Sequence, residues 1–381
     1  MMPAQIAAGG PPLFEAPGFD AVHLPASGRS AEAVWYDVFA VGDGRFVIST
    51  GSVPGTGAGA KALMSAVREA FAGGPVPEAS ALLAAAAEAV FVRRGNAEPA
   101  FATAIVGILD GAERTFTYVC AGHPPPSIRY HDGTVTGLPA DGLPLGLDER
   151  DHPTAQVVVE LDDVELLVLF SGSLMQPAHS LADGLNRFGH VLADDRISCC
   201  GDPAGWIARR MLGSTPHDEV AVLVLTFPRS RPARRADAPV ERPRWIVSWS
   251  FDSNAAASND ARRAFLACLA SKAGAASAID RSAAELIFGE LLGNVVRHAP
   301  GPVEIRLDWT GPLPVLHVLD SGPGFRSRRK RERLPVDDWS ESGRGLFIVN
   351  ACAEQFSVRN RSGRGTHACA TLPAASLPPA S

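Results

Sequence analysis

The run P-R-S-R-P-A-R-R-A-D-A-P-V-E-R-P-R, Pro228 to Arg244, constrains this chain more than any other segment. Four prolines in seventeen residues remove backbone donors and leave no apolar periodicity, so the segment reads as an extended, semi-rigid linker. It also divides the charge. Residues 1–227 hold 13 basic against 26 acidic side chains, and residues 228–381 hold 22 against 15. A chain of 381 residues with 46% hydrophobic and 20% charged residues is long enough for two cores and is not disordered throughout. The acidic first part argues against nucleic-acid binding by the whole chain.

The expected division is a flexible lead-in over 1–30, one domain over 31–227, the linker over 228–245, a second domain over 246–373 and a tail over 374–381. Six scattered cysteines make no C-x-x-C pair and read as reduced thiols. No basic segment precedes an apolar run at the N-terminus, and the longest apolar stretch, Val164 to Met175, is too short for a bilayer. A cytoplasmic protein without membrane contact is the expectation.

In the first domain, Ala33–Val41 and Arg45–Thr50 flank Gly42-Asp43-Gly44 and predict a hairpin. A glycine loop, Gly51 to Gly59, leads to a helix over Lys61–Ala72, and an alanine-rich helix follows at 79–93. Strands are predicted at 101–109, 115–121, 156–160, 165–171 and 219–227. Strands clustered in hairpins, with helices between them, argue for an α+β layer fold.

After the linker three glycine-containing signals follow a helix over Arg281–His298. That helix carries Glu290 and Asn294 at i, i+4, hence on one face. Buried there, an acid and an amide need partners. They suit a magnesium-phosphate site, with the amide oxygen as a hard ligand and the carboxylate as proton acceptor. A strand ending at Leu319 runs into D-S-G-P-G-F, with Asp320, Gly322 and Gly324. The segment S-G-R-G-L (Ser342–Leu346) opens a helix over Leu346–Cys352 whose N-terminus can hold phosphate oxygens. Finally G-R-G-T, Gly363 to Thr366, sits between two strands. The charge run Arg326–Arg333 reads as a solvated loop, and His298 as a helix-end residue.

In this order and spacing, from Trp249 to Leu372, the constellation resembles the Bergerat ATP-binding fold of the GHKL superfamily, and within it the anti-sigma-factor serine kinases of the RsbW type. The resemblance implies a two-layer α/β sandwich binding ATP and magnesium. Asn294 would coordinate the metal, Asp320 would take the adenine amino group with Thr366 assisting, Gly322 and Gly324 would line the base, and Gly365 would be a further cofactor-binding position. Gly343, Arg344, Gly345 and Leu346 would belong to the loop over the phosphates, and Glu290 would be the general base toward a serine. The implied partners are a STAS-domain anti-anti-sigma protein, a sigma factor, or both. The kinase family commonly dimerises, though no interface is read from these residues.

The first domain resembles the SpoIIE-type branch of the PPM phosphatases, through W-Y-D-V-F at Trp35, the glycine loop and its helix, F-A-T-A at Phe101, C-A-G-H-P-P-P at Cys120, L-P-L-G-L at Leu143 and D-E-V-A-V-L-V-L at Asp218. The implied fold is a sandwich of two antiparallel sheets flanked by helices, whose activity rests on two cations held by aspartates. Here Val34, Ser52 and Gly172 stand where three of those acids belong, and only Asp218 remains. Asp37 lies outside the metal set, Asp43 sits in the hairpin turn, and His123 with its prolines reads as a structural turn. A lone carboxylate cannot balance two hard dications, so manganese or magnesium is not expected there, and the domain reads as a pseudophosphatase. Three readings stay open: a serine kinase and anti-sigma regulator with a pseudophosphatase domain, a bifunctional phosphatase-kinase, and a non-catalytic switch set by ATP occupancy.

Overall fold

The computed structural model describes residues 17–28, 32–55, 57–72, 78–93, 101–147, 155–176, 178, 180–213, 215–229, 245–253, 255–270, 279–324, 341–361 and 365–375. The linker beyond Arg229 and the charge run 326–333 lie outside the described residues.

Strand β1 (Gly18–Leu24) falls inside the stretch expected to be a flexible lead-in, and corrects that expectation. Its alternation is too short and too polar to read alone, and it exists because all seven residues pair with the strand Val220–Thr226. The predicted hairpin is β2 (Glu32–Gly42) and β3 (Arg45–Pro54). Its turn needs left-handed backbone at three successive positions, Gly42 (φ 93°), Asp43 (52°) and Gly44 (71°), which two glycines and an aspartate tolerate. β3 reaches into the expected glycine loop. Gly51 lies opposite Trp35, and a Cβ there would occupy the indole ring, so this glycine serves strand packing.

Helices α1 (Ala58–Ala72) and α2 (Ala79–Arg93) follow. Next come β4 (Thr103–Asp110), β5 (Thr115–Ala121), β6 (Ser127–Tyr130), β7 (Val135–Gly137), β8 (Gln156–Glu160) and β9 (Val164–Phe170). Helix α3 (Leu181–Leu192) is capped by Ser180, whose hydroxyl accepts from the Asp183 N–H. Helix α4 (Pro203–Leu212) has Asp202 as its N-cap, proline in its first turn and Gly213 in left-handed backbone at its end. β10 (Val220–Thr226) closes this half.

The second half runs β11 (Trp245–Asp252), α5 (Ala255–Ala270), α6 (Arg281–His298), β12 (Pro302–Asp308), β13 (Val315–Asp320), α7 (Glu341–Cys352), β14 (Gln355–Asn360) and β15 (Thr366–Thr371). Trp245, placed in the linker by composition, is the first residue of β11 and 1% exposed. α7 begins at Glu341, so Ser342–Leu346 lies within its opening turns rather than ahead of it. Glycines are cheap there, because first-turn N–H groups have no intrahelical acceptor to lose.

The strands form two sheets, and the mixed α+β layering is the expected one. One sheet has the order β1-β10-β9-β6-β7, and the other β14-β15-β13-β12-β11-β8-β5-β4-β3-β2. α1 and α2 pack with the outer face of β2–β5 around Trp35, Val67, Phe71 and Leu82. α3 and α4 cover the outer face of the five-stranded sheet around Phe170, Phe188 and Ile207. The inner face of the long sheet carries one apolar cluster that runs from Phe46 and Phe116, through Trp245 and Trp249, to Phe288 and Leu372.

Candidate functional site

Helix α6 starts where the Asp280 carboxylate accepts from the Ala283 N–H at 3.0 Å, and it buries Ala284, Ile287, Phe288, Leu291, Leu292 and Val295. Glu290 and Asn294 occupy the flank that meets α7. A Cβ on Gly345 would lie 2.6 Å from Glu290 Oε2 and 3.5 Å from Asn294 Nδ2, so the bare glycine makes room for both. Asn294 Nδ2 is buried without a hydrogen-bond partner, a polar group that calls for a ligand.

β13 ends on Asp320, which is 4% exposed. Its Oδ1 accepts from the Gly322 N–H (2.8 Å) and the Thr366 N–H (3.1 Å), and its Oδ2 accepts from the Thr366 hydroxyl. A Cβ on Gly322 would meet Ala299 Cβ at 2.5 Å, and Gly365, at φ 99°, would drive one into the Asp320 carbonyl. The glycines thus let the end of α6 and the β14–β15 connection close on one carboxylate. Gly324 has φ 84° and faces the Asn360 side chain. Leu346 packs on the core, and Gly343 and Arg344 fall in the first turn of α7, with the Arg344 side chain outside the described residues. Arg361, which sequence reasoning missed, donates from Nη1 to the Asp320 carbonyl at 3.1 Å. An arginine beside a turn carries no signal of its own.

The Asn294 side-chain amide, a carboxylate one helical turn before it, and a cradled buried aspartate form a donor set that fits magnesium and a purine nucleotide, with the orphaned Nδ2 donor itself suited to a phosphate oxygen rather than to the metal. Asn294 would supply the hard oxygen.

At the other centre the three positions expected to have lost their acids are filled differently. Val34 is buried apolar surface. Gly172 opens a short 3₁₀ turn, where an added Cβ would touch only Pro124 at 3.7 Å; space for a side chain exists and no acid fills it. Ser52 Oγ lies 3.1 Å from Thr103 Oγ1, which lies 2.9 Å from His123 Nδ1. His123 Nε2 must donate to the Phe170 carbonyl at 3.0 Å, so Nδ1 of the neutral ring accepts from Thr103. Burial pushes His123 down to about 4, against the opposing effect of the Phe170 carbonyl. His123 therefore anchors a buried relay as well as shaping a turn. Asp218 Oδ2 accepts from the Gln176 amide, and Ser173 Oγ donates to the Glu219 carbonyl at 2.5 Å.

One carboxylate escaped the sequence reading. Glu32 shares a face of β2 with Val34, two residues on, and interacts with Ser52, Ser173, Asp218 and Glu219. Burial raises its pKa, the neighbouring Ser52 and Ser173 hydroxyls oppose this, and the charges of Asp218 and Glu219 raise it further. The i, i+2 spacing was the available signal. Asp218 is therefore not the only acid at this centre. Asp37 is tied to Arg68 by two hydrogen bonds of 2.6 and 2.7 Å and is not a spare ligand. Among the described residues, no group of three or more His, Cys, Asp or Glu side chains is placed to hold a metal ion. The donor set does not fit a pair of dications. A cavity of about 340 Å³ opens beside Val34 and Glu219, walled by Trp35, Lys61 and Arg68.

Residues 42–228 match the family model of stage II sporulation protein E (SpoIIE), and residues 251–372 match that of the histidine kinase-like ATPase domain. The chain is a SpoIIE-type domain fused to a histidine kinase-like ATPase domain. No curated protein matches it. Among solved structures it is similar to the RsbU and RsbW domains of a Mycobacterium tuberculosis protein, at 22% identity and a TM-score of 0.43, over 95% of this chain and 96% of that one. The phosphatase domain of SpoIIE from Bacillus subtilis, with a fragment of its regulatory domain, is similar at 15% identity and a TM-score of 0.46, over 56% and 64%. RsbX in complex with magnesium is similar at 12% identity and 0.41, over 55% and 94%. No helix among the described residues is long and apolar enough to cross a membrane.

Proposed function

We propose that the protein is an ATP-dependent serine kinase and anti-sigma-type regulator of a partner-switching pathway, and that its SpoIIE-type half is a pseudophosphatase used for docking or regulation. The observation that supports this most is that α6 carries Glu290 and the buried Asn294 amide beside Gly345 and ends, at Ala299, against the Gly322 of the Asp320 cradle. Bound ATP with magnesium supplies the phosphoryl group. Asp320, oriented by Gly322 and Thr366, would hold the adenine amino group, and Asn294 would offer the metal its side-chain oxygen. Glu290 takes the hydroxyl proton of the acceptor serine on its carboxylate. Transfer then relies mainly on positioning and electrostatics. The substrate class is a STAS-domain protein, and the other partner is a sigma factor.

The test is incubation with ATP, magnesium and a candidate STAS protein, followed by mass spectrometry for phosphoserine. The expected outcome is transfer by wild type and a loss of at least a hundredfold in Glu290→Ala, as for removal of a general base. Equal transfer by the variant would refute the kinase reading. A nucleotide-dependent complex without transfer in either protein would support the non-catalytic switch. The second reading, a bifunctional phosphatase-kinase, has among the described residues only Glu32 and Asp218 as acids at its centre and requires hydrolysis of a phosphoserine STAS protein with manganese.

A further inference from the structure

Strands β8 and β11 come from different halves of the chain, yet they are neighbours in one sheet. They pair antiparallel, with Trp245 opposite Val159, Ile246 opposite Val158, Val247 opposite Val157 and Ser248 opposite Gln156. Trp245, Val247, Val157 and Val159 are buried on the inner face, in the cluster that both halves share. On the outer face Val158 and Ile246 stand side by side, half-buried.

Apolar residues on both faces mark a central strand rather than an edge. Q-V-V-V-E and W-I-V-S-W have that character, whereas the true edge β14, Q-F-S-V-R-N, exposes Arg359 and Asn360. Left open, either strand would be a template for unwanted pairing. The chain path shows that the partner is the same molecule. Beyond β10, Arg229 Nη2 donates to the His131 carbonyl at 3.2 Å, and the His131 N–H donates to the Asp163 carbonyl at 3.0 Å, in the turn just after β8. β11 re-enters opposite Val159, at that same end of β8. The intervening residues 230–244, at roughly 3.3 Å each, reach much farther than this return requires.

We propose that the β8–β11 seam is a permanent docking surface on which the SpoIIE-type half occupies the open sheet edge of the ATPase half. The halves hold together without the linker, and self-association of the chain does not pass through β11. This stands whether or not either site is active.

The test places a site-specific protease sequence within residues 230–244 of the full chain, cuts it, and follows the fragments by gel filtration with mass measurement. Co-elution of the two fragments in a 1:1 ratio at the mass measured for the uncut chain is the expected result. Separation on cutting overturns the proposal, whatever the variants do. Val158→Glu with Ile246→Glu sets like charges directly opposite, and the cut protein should then separate at concentrations at least tenfold higher than wild type. Val158→Lys with Ile246→Glu should restore co-elution. Unchanged co-elution of the double-glutamate variant would place the contact elsewhere and equally overturn the seam.

Discussion

His123 shows how a single residue carries a measurable signature. Its ring is enclosed between Thr103 and the Phe170 carbonyl, and burial holds it neutral down to a pH of about 4. An unfolded chain protonates its histidines near the ordinary value of 6.5. Between those values the unfolded state binds a proton that the native state refuses, so this contribution to stability is complete above 6.5 and is lost as pH falls toward about 4. The expected loss from this group is up to roughly 3 kcal/mol. His317 and His367, paired at 2.9 Å on the ATPase half and both lowered first by burial, act in the same direction, so the difference between proteins is what matters. In urea titrations across this range, His123→Gln should show a clearly shallower decline than wild type; parallel declines would exclude the relay as the source. At this scale the grouping of Asp320, Gly322 and Thr366 was readable, because these residues lie in motifs that follow one another in fixed order. Glu32, Gln176 and Arg361 were not, because each acts on a residue far away in the chain.

At the scale of elements, Arg129 joins four pieces of backbone. It is 2% exposed, and its Nε donates to Glu165 Oε2 at 2.8 Å, linking β6 to β9. Nη1 donates to the Leu192 and Gly133 carbonyls, at the end of α3 and in the β6–β7 turn. Nη2 reaches Asp195 and Ser198, at 2.9 and 3.3 Å, in a 3₁₀ turn. The exposed Asp195 contributes little, whereas removing the guanidinium would strand the buried Glu165 carboxylate. Arg129→Met should cost about 3–5 kcal/mol in denaturant unfolding, and adding Glu165→Gln should recover part of it. A cost below about 1 kcal/mol would show that the network is dispensable. The long helices α2 and α6 were legible from spacing. Helix α4 had its signals, Asp202, Pro203 and Gly213, without an apolar run strong enough to raise them above a turn. The four-residue β6 and three-residue β7 exist only through their partners.

For the whole molecule, the two centres predict opposite responses to ligands. Magnesium-ATP at a hundredfold excess over its Kd should stabilise the chain by about 2.7 kcal/mol, seen as a rise in unfolding temperature that Asp320→Asn abolishes. Manganese without nucleotide should produce no rise; one that disappears in Asp218→Asn would establish a metal site, the first requirement of the bifunctional reading. The motifs, the turn glycines, the helix carrying Glu290 and Asn294, and the non-acidic residues at Val34, Ser52 and Gly172 were all determined by sequence alone, because each is written in consecutive residues or in a local period. Only the tertiary structure decided that β8 meets β11, that Glu32 comes within electrostatic reach of Asp218, and that the linker separates two halves of one sheet. Strand neighbours distant in sequence are chosen by which apolar faces the folded chain can bury together, and no local pattern records that choice.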